Sequence, residues 1–307
     1  MPIPYMGSKR KSATKIFNTI KNLNPDSSTL VDLFCGGFAI GELFFQNGYN
    51  VIANDLNKYV IALLNQTIKI GLDEEKCLEF ITRDILKDII KNPDKYDDWY
   101  VGYAMCCWTF GNNSQKAYLF GKDVEPLKYA GHKLVVNKNP IDVIGIISQK
   151  NIDGILKQTD WHKRRIALGK VANTMRTRVF ELQQLEQLQQ LQRLERLQQL
   201  QRLERLQFCS KSYNEINIPK DAIIYCDPPY IGTAEYSEGS FNHDEFWDWV
   251  RSVSKKNKIY ISEYNAPDDF ISILAFDQKS TLQGGTQKHN NQPKECLFVP
   301  IDQEKYG

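Results

Sequence analysis

The chain has 307 residues, 42% apolar and 25% charged, with a formal net charge of only +2; it can bury a large core as one big domain or two moderate ones, and it is not a polycationic protein overall. Seven cysteines, an odd number with no Cys-x-x-Cys pair, and four scattered histidines argue against a disulfide framework or a zinc site. No secretory leader and no apolar run of membrane length occurs, which makes the cytoplasm the simplest compartment and a membrane an unexpected partner.

Near the start, Pro4-Tyr5-Met6-Gly7-Ser8-Lys9-Arg10 places an aromatic ring, a Gly-Ser turn and two cations ahead of an amphipathic helical pattern around 12–22. Thr29 to Phe34 reads as a buried strand, followed by Cys35-Gly36-Gly37-Phe38, a helical pattern from Ala39 to Gln46, and a second strand from Asn50 to Asn54. Asp55 closes that strand 19 residues after Gly36. Nucleoside-binding sheets put an acid there to receive ribose hydroxyls, and glycines let the backbone approach a ligand closely. A Gly-Gly pair alone is more often a plain turn. Strand, glycines, helix, strand and a correctly spaced acid together point to a nucleoside cofactor, and the missing Gly-x-Gly-x-x-Gly favours one without a pyrophosphate, such as S-adenosyl-L-methionine.

The middle of the chain changes character. Trp99 to Trp108 is aromatic-rich, and the following Phe110 to Lys116 offers Asn112, Asn113 and Lys116 as groups able to read base edges or touch phosphates, although the same composition is ordinary in loops. Between 157 and 178, seven cations (Lys157, Lys163, Arg164, Arg165, Lys170, Arg176 and Arg178) face the single acid Asp160, a local charge of seven minus one, +6. A solvated helix face and a phosphate-binding face both fit that stripe, and the latter is the expectation. From Leu182 to Leu206 a leucine recurs at every third position, and the unit Leu-Gln-Gln-Leu-Gln-Arg-Leu-Glu-Arg occurs twice, at 188–196 and 197–205. Composition says helix. Yet each step of three turns the leucine by about 300°, so the row circles the helix and no single apolar seam results, which disfavours a two-stranded coiled coil.

Ala222 to Cys226 reads as a strand delivering Asp227-Pro228-Pro229-Tyr230. The two prolines lack N–H groups and fix φ, and the residues before them are pushed to extended conformations, so the turn is stiff. The Asp227 carboxylate and a Pro-Pro carbonyl can accept both hydrogens of an exocyclic amine, while the Tyr230 ring offers a stacking face. A plain strand-to-loop turn is the alternative. Farther on, Asn242 caps a helix carrying Phe246, Trp247 and Trp249, and His243 is a helix-start residue.

Taken together these segments carry a family resemblance. Tyr5-Met6-Gly7-Ser8-Lys9 is similar to the aromatic-x-Gly-Gly-Lys opening of the Dam-type, D12-class adenine-specific DNA methyltransferases, with Ser8 in place of the second glycine. Asp32-Leu33-Phe34-Cys35-Gly36-Gly37 resembles their acidic-x-Phe-x-Gly-x-Gly cofactor loop with the second glycine displaced by one, and Asp227 to Tyr230 matches their catalytic motif. Ile259 to Tyr264 and Glu295 to Val299 resemble their closing strands. The motif order is that of the alpha group, and phage-encoded members look closest.

The resemblance implies an α/β, Rossmann-like S-adenosylmethionine-dependent methyltransferase sheet built from residues 1–70 and 212–307, with a mainly helical target-recognition insertion at 71–211 that includes the leucine repeat 182–206. It implies that Tyr5, Lys9, Asp32, Asp55 and Asp227 line the cofactor site, with Phe34 and Gly36 shaping its floor, and that Asp227, Pro228, Pro229 and Tyr230 hold a flipped adenine. Asn112, Asn113, Lys116, Lys163, Arg164, Arg165, Lys170, Arg176 and Arg178 are the expected contacts to double-stranded DNA, and no metal is called for. Cytosine N4, adenine in RNA and a protein glutamine offer comparable amines, and a catalytically silent DNA-binding chain is the reading outside the enzyme class.

Overall fold

The computed structural model describes residues 3–5, 7–110, 117–199, 203–230, 241–276 and 294–303. In chain order the elements open with α1 (Ala13–Leu23), β1 (Thr29–Asp32), α2 (Ala39–Gln46), β2 (Asn50–Asn54) and α3 (Lys58–Asn65), the alternation expected from the sequence. Helices α4 (Glu74–Cys77), α5 (Arg83–Lys91), α6 (Asp98–Trp108), α7 (Glu125–Val136), α8 (Gln149–Leu156), α9 (Trp161–Thr174) and α10 (Gln183–Glu195) fill the middle. The chain then forms β3 (Leu206–Cys209), β4 (Ile223–Cys226), α11 (His243–Ser254), β5 (Lys258–Glu263), β6 (Phe270–Phe276) and β7 (Glu295–Pro300). Several helices start where a side chain caps them: Asp73, Thr82, Asp160 and Asn242 each accept a backbone N–H three residues on.

The strands make one sheet in the order β3-β2-β1-β4-β5-β7-β6. Strands β3, β2, β1, β4 and β5 run parallel, and β7 is antiparallel to both β5 and β6. The strand order reverses between β1 and β4, and at such a reversal the loops leave the carboxyl ends in opposite directions and open a crevice. Register fixes what lines it. Asp32 is level with Ala53 on β2 and Tyr225 on β4, so Asp55 and Asp227 each follow two residues beyond a partner of Asp32. With the two-residue alternation of a strand, all three acids belong to the same face.

On one face of the sheet Val31, Leu33, Ile224, Cys226, Ile259 and Ile261 bury against Phe246, Trp247 and Val250 of α11. The opposite face takes Tyr260, whose hydroxyl accepts from Asn24 Nδ2 at 2.6 Å just after α1. Phe44 of α2 meets Phe17 and Tyr49 edge-on, both at 4.9 Å between centroids.

The chain divides into two compact units: a sheet unit of residues 7–65 and 198–307 with residues 1–2, and a helical unit of residues 66–197 with residues 3–6. This corrects the boundary drawn from sequence. Leu206 to Cys209, assigned there to the insertion, pair in parallel with Val51 to Asn54, so the sheet unit resumes at Gln198 and not at 212. The leucine row is split accordingly. Its first half is α10, in which Leu185, Leu188, Leu191 and Leu194 are all buried; the four sweep half the helix circumference, so α10 is buried on several sides. Its last leucine, Leu206, opens β3.

Candidate active site

Lys9 sits in a short helical turn, Lys9–Lys11, and is buried. Its ammonium lies 2.6 Å from Asp227 Oδ1 and 3.3 Å from Glu295 Oε1, and it donates to the Tyr230 hydroxyl. That hydroxyl has Asp227 Oδ1 and Glu295 Oε1 both at 2.9 Å; with one proton it donates to one of them at a time. β4 brings Asp227 here, the stiff Pro-Pro turn brings Tyr230, and antiparallel β7 brings Glu295. The Tyr230 ring meets Tyr264 edge-on at 4.8 Å. Both bonds of Asp227 fall on Oδ1, which leaves Oδ2 without a partner among the described residues.

The glycine loop is tied to β2. Asp55 Oδ2 accepts the Gly36 N–H at 2.9 Å and Oδ1 accepts the Asn57 N–H at 3.0 Å. Gly36 has φ 44°, the left-handed region where a missing Cβ removes the penalty. Asp32 Oδ2 accepts the Gly41 N–H at 3.1 Å, while Oδ1 is buried with no partner among the described residues. Asn54 bonds Leu33 O and Lys211 O, both at 3.0 Å, clamping the end of β1 to the segment after β3. Phe34 packs against Tyr213, Phe241 and Phe246 under the loop.

Acid exceeds base here. Burial, reinforced by the Asp227 charge, pushes the Asp32 carboxyl up to about 8. Burial also raises Asp55, against two backbone N–H bonds that favour its charge. Asp227 is raised by burial, with Lys9 pulling the other way. Burial lowers Lys9, but Asp227 and Glu295 outweigh it and the ammonium is held above its ordinary value.

Of the residues expected from sequence, the sheet unit brings together Lys9, Asp32, Gly36, Asp55, Asp227 and Tyr230. Tyr5 is half-buried and groups with the helical unit. Asn112, Asn113 and Lys116 lie outside the described residues. Lys163, Lys170, Arg176 and Arg178 are exposed, and Arg165 is half-buried with its guanidinium 3.0 Å from Gln189 Oε1. Arg164 must be taken out of the expected phosphate contacts: it is only 4% exposed, and its guanidinium donates to the carbonyls of Val135, Gln158 and Thr159. Sequence reasoning missed Glu295, whose one signal was an acid opening an otherwise apolar strand.

The sequence model of the D12 class of N6 adenine-specific DNA methyltransferases matches residues 5–265. The chain is similar to the Type II methyltransferase M.FokI of Planomicrobium okeanokoites, with 23% identity over 292 residues that make up 89% of this chain and 35% of that protein. The chain therefore spans about a third of the length of the curated relative it matches.

Proposed function

The chain belongs to the D12 class of N6 adenine-specific DNA methyltransferases, and we propose that it transfers a methyl group from S-adenosyl-L-methionine to the exocyclic N6 of an adenine swung out of double-stranded DNA. The observation that carries this reading is Asp227: a carboxylate at the β1–β4 reversal, its Oδ1 occupied by Lys9 and Tyr230, its Oδ2 left as an acceptor.

The residues present fit the cofactor. S-adenosylmethionine carries a sulfonium and an ammonium, and the crevice holds Asp32, Asp55, Asp227 and Glu295 against Lys9. Asp32 Oδ1, buried and unpartnered among the described residues, is an acceptor left over for a cationic or N–H group. Asp55 would receive the ribose hydroxyls, and the open backbone at Gly36 would admit the ligand closely. When bound, the cofactor supplies an electrophilic methyl group.

The chain's own work is on the base. An aromatic amine is a poor nucleophile because its lone pair is shared with the ring. Asp227 Oδ2 and the Pro228 carbonyl would accept its two hydrogens and hold them out of the ring plane, which returns the lone pair to nitrogen. For this Asp227 must be ionised; burial favours its proton, and the Lys9 ammonium pulls the other way. Tyr230 stacks on the base and steadies Asp227 through its hydroxyl. The order of motifs, cofactor loop before catalytic tetrapeptide, supports the alpha group, and target recognition falls to the helical unit.

The test is to incubate the chain with methyl-labelled S-adenosylmethionine and duplex DNA, digest to nucleosides and identify the labelled base. Label in N6-methyladenine, lost in a folded Asp227→Ala variant, is expected. Label in N4-methylcytosine, transfer to RNA in preference to DNA, or full turnover by Asp227→Ala would overturn the reading.

A further inference from the structure

The basic stripe of the sequence is divided among the faces of α9. Trp161, Arg164, Leu168 and Ala172, at steps of three and four, are the buried side. Arg165 turns toward Gln189. The remaining side carries Lys163, Ile166, Lys170 and Val171, and with α8 it walls an open groove of about 420 Å³. From α8 comes Lys150, a cation that the charge count over 157–178 had not included. The groove thus has three exposed lysines on its walls, and no carboxylate among the described residues lines it. Asp160 lies 3.4 Å from Lys163, but as an exposed i,i+3 pair at the helix start it also caps α9 through Lys163 N, and such a pair holds a lysine weakly.

We infer that the groove between α8 and α9 seats the phosphate backbone of the DNA, with Lys150, Lys163 and Lys170 as its cations. The inference rests on the DNA reading above and adds the surface that holds the duplex. Lys163 and Lys170 are two helical turns apart, about 10 Å along the axis, which is about three nucleotide rises along one strand. Half-exposed Ile166 and Ala167 between them offer apolar surface to deoxyribose, and Asn151 and Gln158 of the lining carry amides. The cations of the groove are lysines, point charges without the guanidinium fork that distinguishes bases. The contact positions the duplex and does not choose the site.

The test uses the full chain with Lys150→Gln, Lys163→Gln and Lys170→Gln together, measuring affinity for several duplexes over a range of salt and S-adenosylmethionine affinity by calorimetry. Expected is weaker binding to every sequence, roughly tenfold or more at low salt, and a slope of log K against log salt flatter by about 3, near one per lysine. Cofactor affinity stays the same, and the triple Lys→Arg variant keeps the wild-type slope, which also covers the case in which the glutamine variant fails to fold. Three results would overturn the assignment: an unchanged slope, a shift in which site is methylated at unchanged affinity, or unchanged DNA binding with lost capture of poly-glutamate, which would give the groove to an acidic protein segment. A wild-type chain that binds S-adenosylmethionine but no DNA would remove the DNA reading itself, a failure distinct from a variant that binds DNA as tightly as wild type.

Discussion

Burying an ammonium alone costs several kcal/mol, and at Lys9 the cost is offset because Asp227 and Glu295 are both within 3.3 Å. Taking the cation away leaves two buried carboxylates side by side. Lys9→Met should therefore cost about 3–5 kcal/mol in urea unfolding, and Glu295→Gln in the same chain should recover part of the loss. Strictly additive effects would show that the two groups are not coupled. Asp32 presents the opposite balance. Its folded value of about 8 stands above its ordinary value of 3.8, so the folded chain keeps a proton that the unfolded chain releases between those limits, and stability falls as pH rises through that window. Asp32→Asn should remove this dependence and raise Tm at pH 8, by about 2–4 °C for each kcal/mol relieved. A cationic ligand favours the ionised form. Binding of S-adenosylmethionine at pH 7 should accordingly release a proton and tighten as pH approaches 8, and calorimetry in buffers of different ionisation enthalpy checks this; the same enthalpy in every buffer would exclude Asp32 as the titrating contact. These residues differ in how legible they were. Asp227, Tyr230, Lys9 and Asp55 stand in short local motifs, whereas Glu295 follows Tyr230 by 65 residues and reaches it only because β7 inserts antiparallel between β5 and β6. The hydroxyl of Tyr230 was hidden in part, because two of its partners, Lys9 and Glu295, are remote in sequence while Asp227 lies in the same tetrapeptide.

The turn before α2 shows two effects in competition within one element. Phe38 has φ 65°, a left-handed conformation that costs a bulky residue about 1–3 kcal/mol. It stands two positions after Gly36, where the resembling loops carry a glycine. Its ring is fully buried, 5.5 Å from Phe208, and a Cβ on Gly41 would come within 2.3 Å of it. Emptying a buried aromatic site costs about 3–5 kcal/mol, which exceeds the strain. Phe38→Gly should then lower stability by about 2 kcal/mol in denaturant unfolding, and a gain in stability would show that strain dominates. Gly41→Ala should also weaken cofactor binding, because the N–H that holds Asp32 must move. The same contrast between pattern and packing governs what could be read of the elements. β1, β2 and β4 were legible because parallel central strands are continuous apolar runs. β3 was not, since Leu206-Gln207-Phe208-Cys209 closes a tract whose composition favours helix, and only pairing with β2 overrides that propensity. Arg164 was misread because a charge count ignores helix faces. Trp161, Leu168 and Ala172 around it, at helical spacing, were the signal that it turns inward.

At the scale of the whole chain, the step from the helical unit to the sheet unit falls at Leu197 and Gln198, and the junction of the two nine-residue copies falls at Arg196 and Leu197. The first copy is core: Leu188, Leu191 and Leu194 are fully buried in α10. The second copy leads to β3, and its last residue, Arg205, donates to Gly48 O and lies over the Phe45 ring at 5.7 Å. Because the copies are identical, removing 197–205 joins Arg196 to Leu206 and delivers an arginine to the same place before β3. Among the described residues, Leu197 is the one buried core side chain that the deletion removes, and Leu206 then follows Arg196 in its place. The deletion should therefore leave a folded protein with unchanged S-adenosylmethionine affinity, since Asp32, Asp55 and Asp227 are untouched, while the connection between the helical unit and the sheet unit becomes nine residues shorter. Methylation of DNA should suffer where cofactor binding does not, and inserting a third copy should restore neither more nor less than the wild-type cofactor affinity. A tandem unit in the protein implies a tandem unit in its coding DNA, and loss or gain of a copy keeps the reading frame, so related chains are expected to differ in copy number. Normal methylation by the deleted chain would reduce the second copy to a passive spacer, and loss of cofactor binding would show that the sheet unit depends on it for more than its arginine.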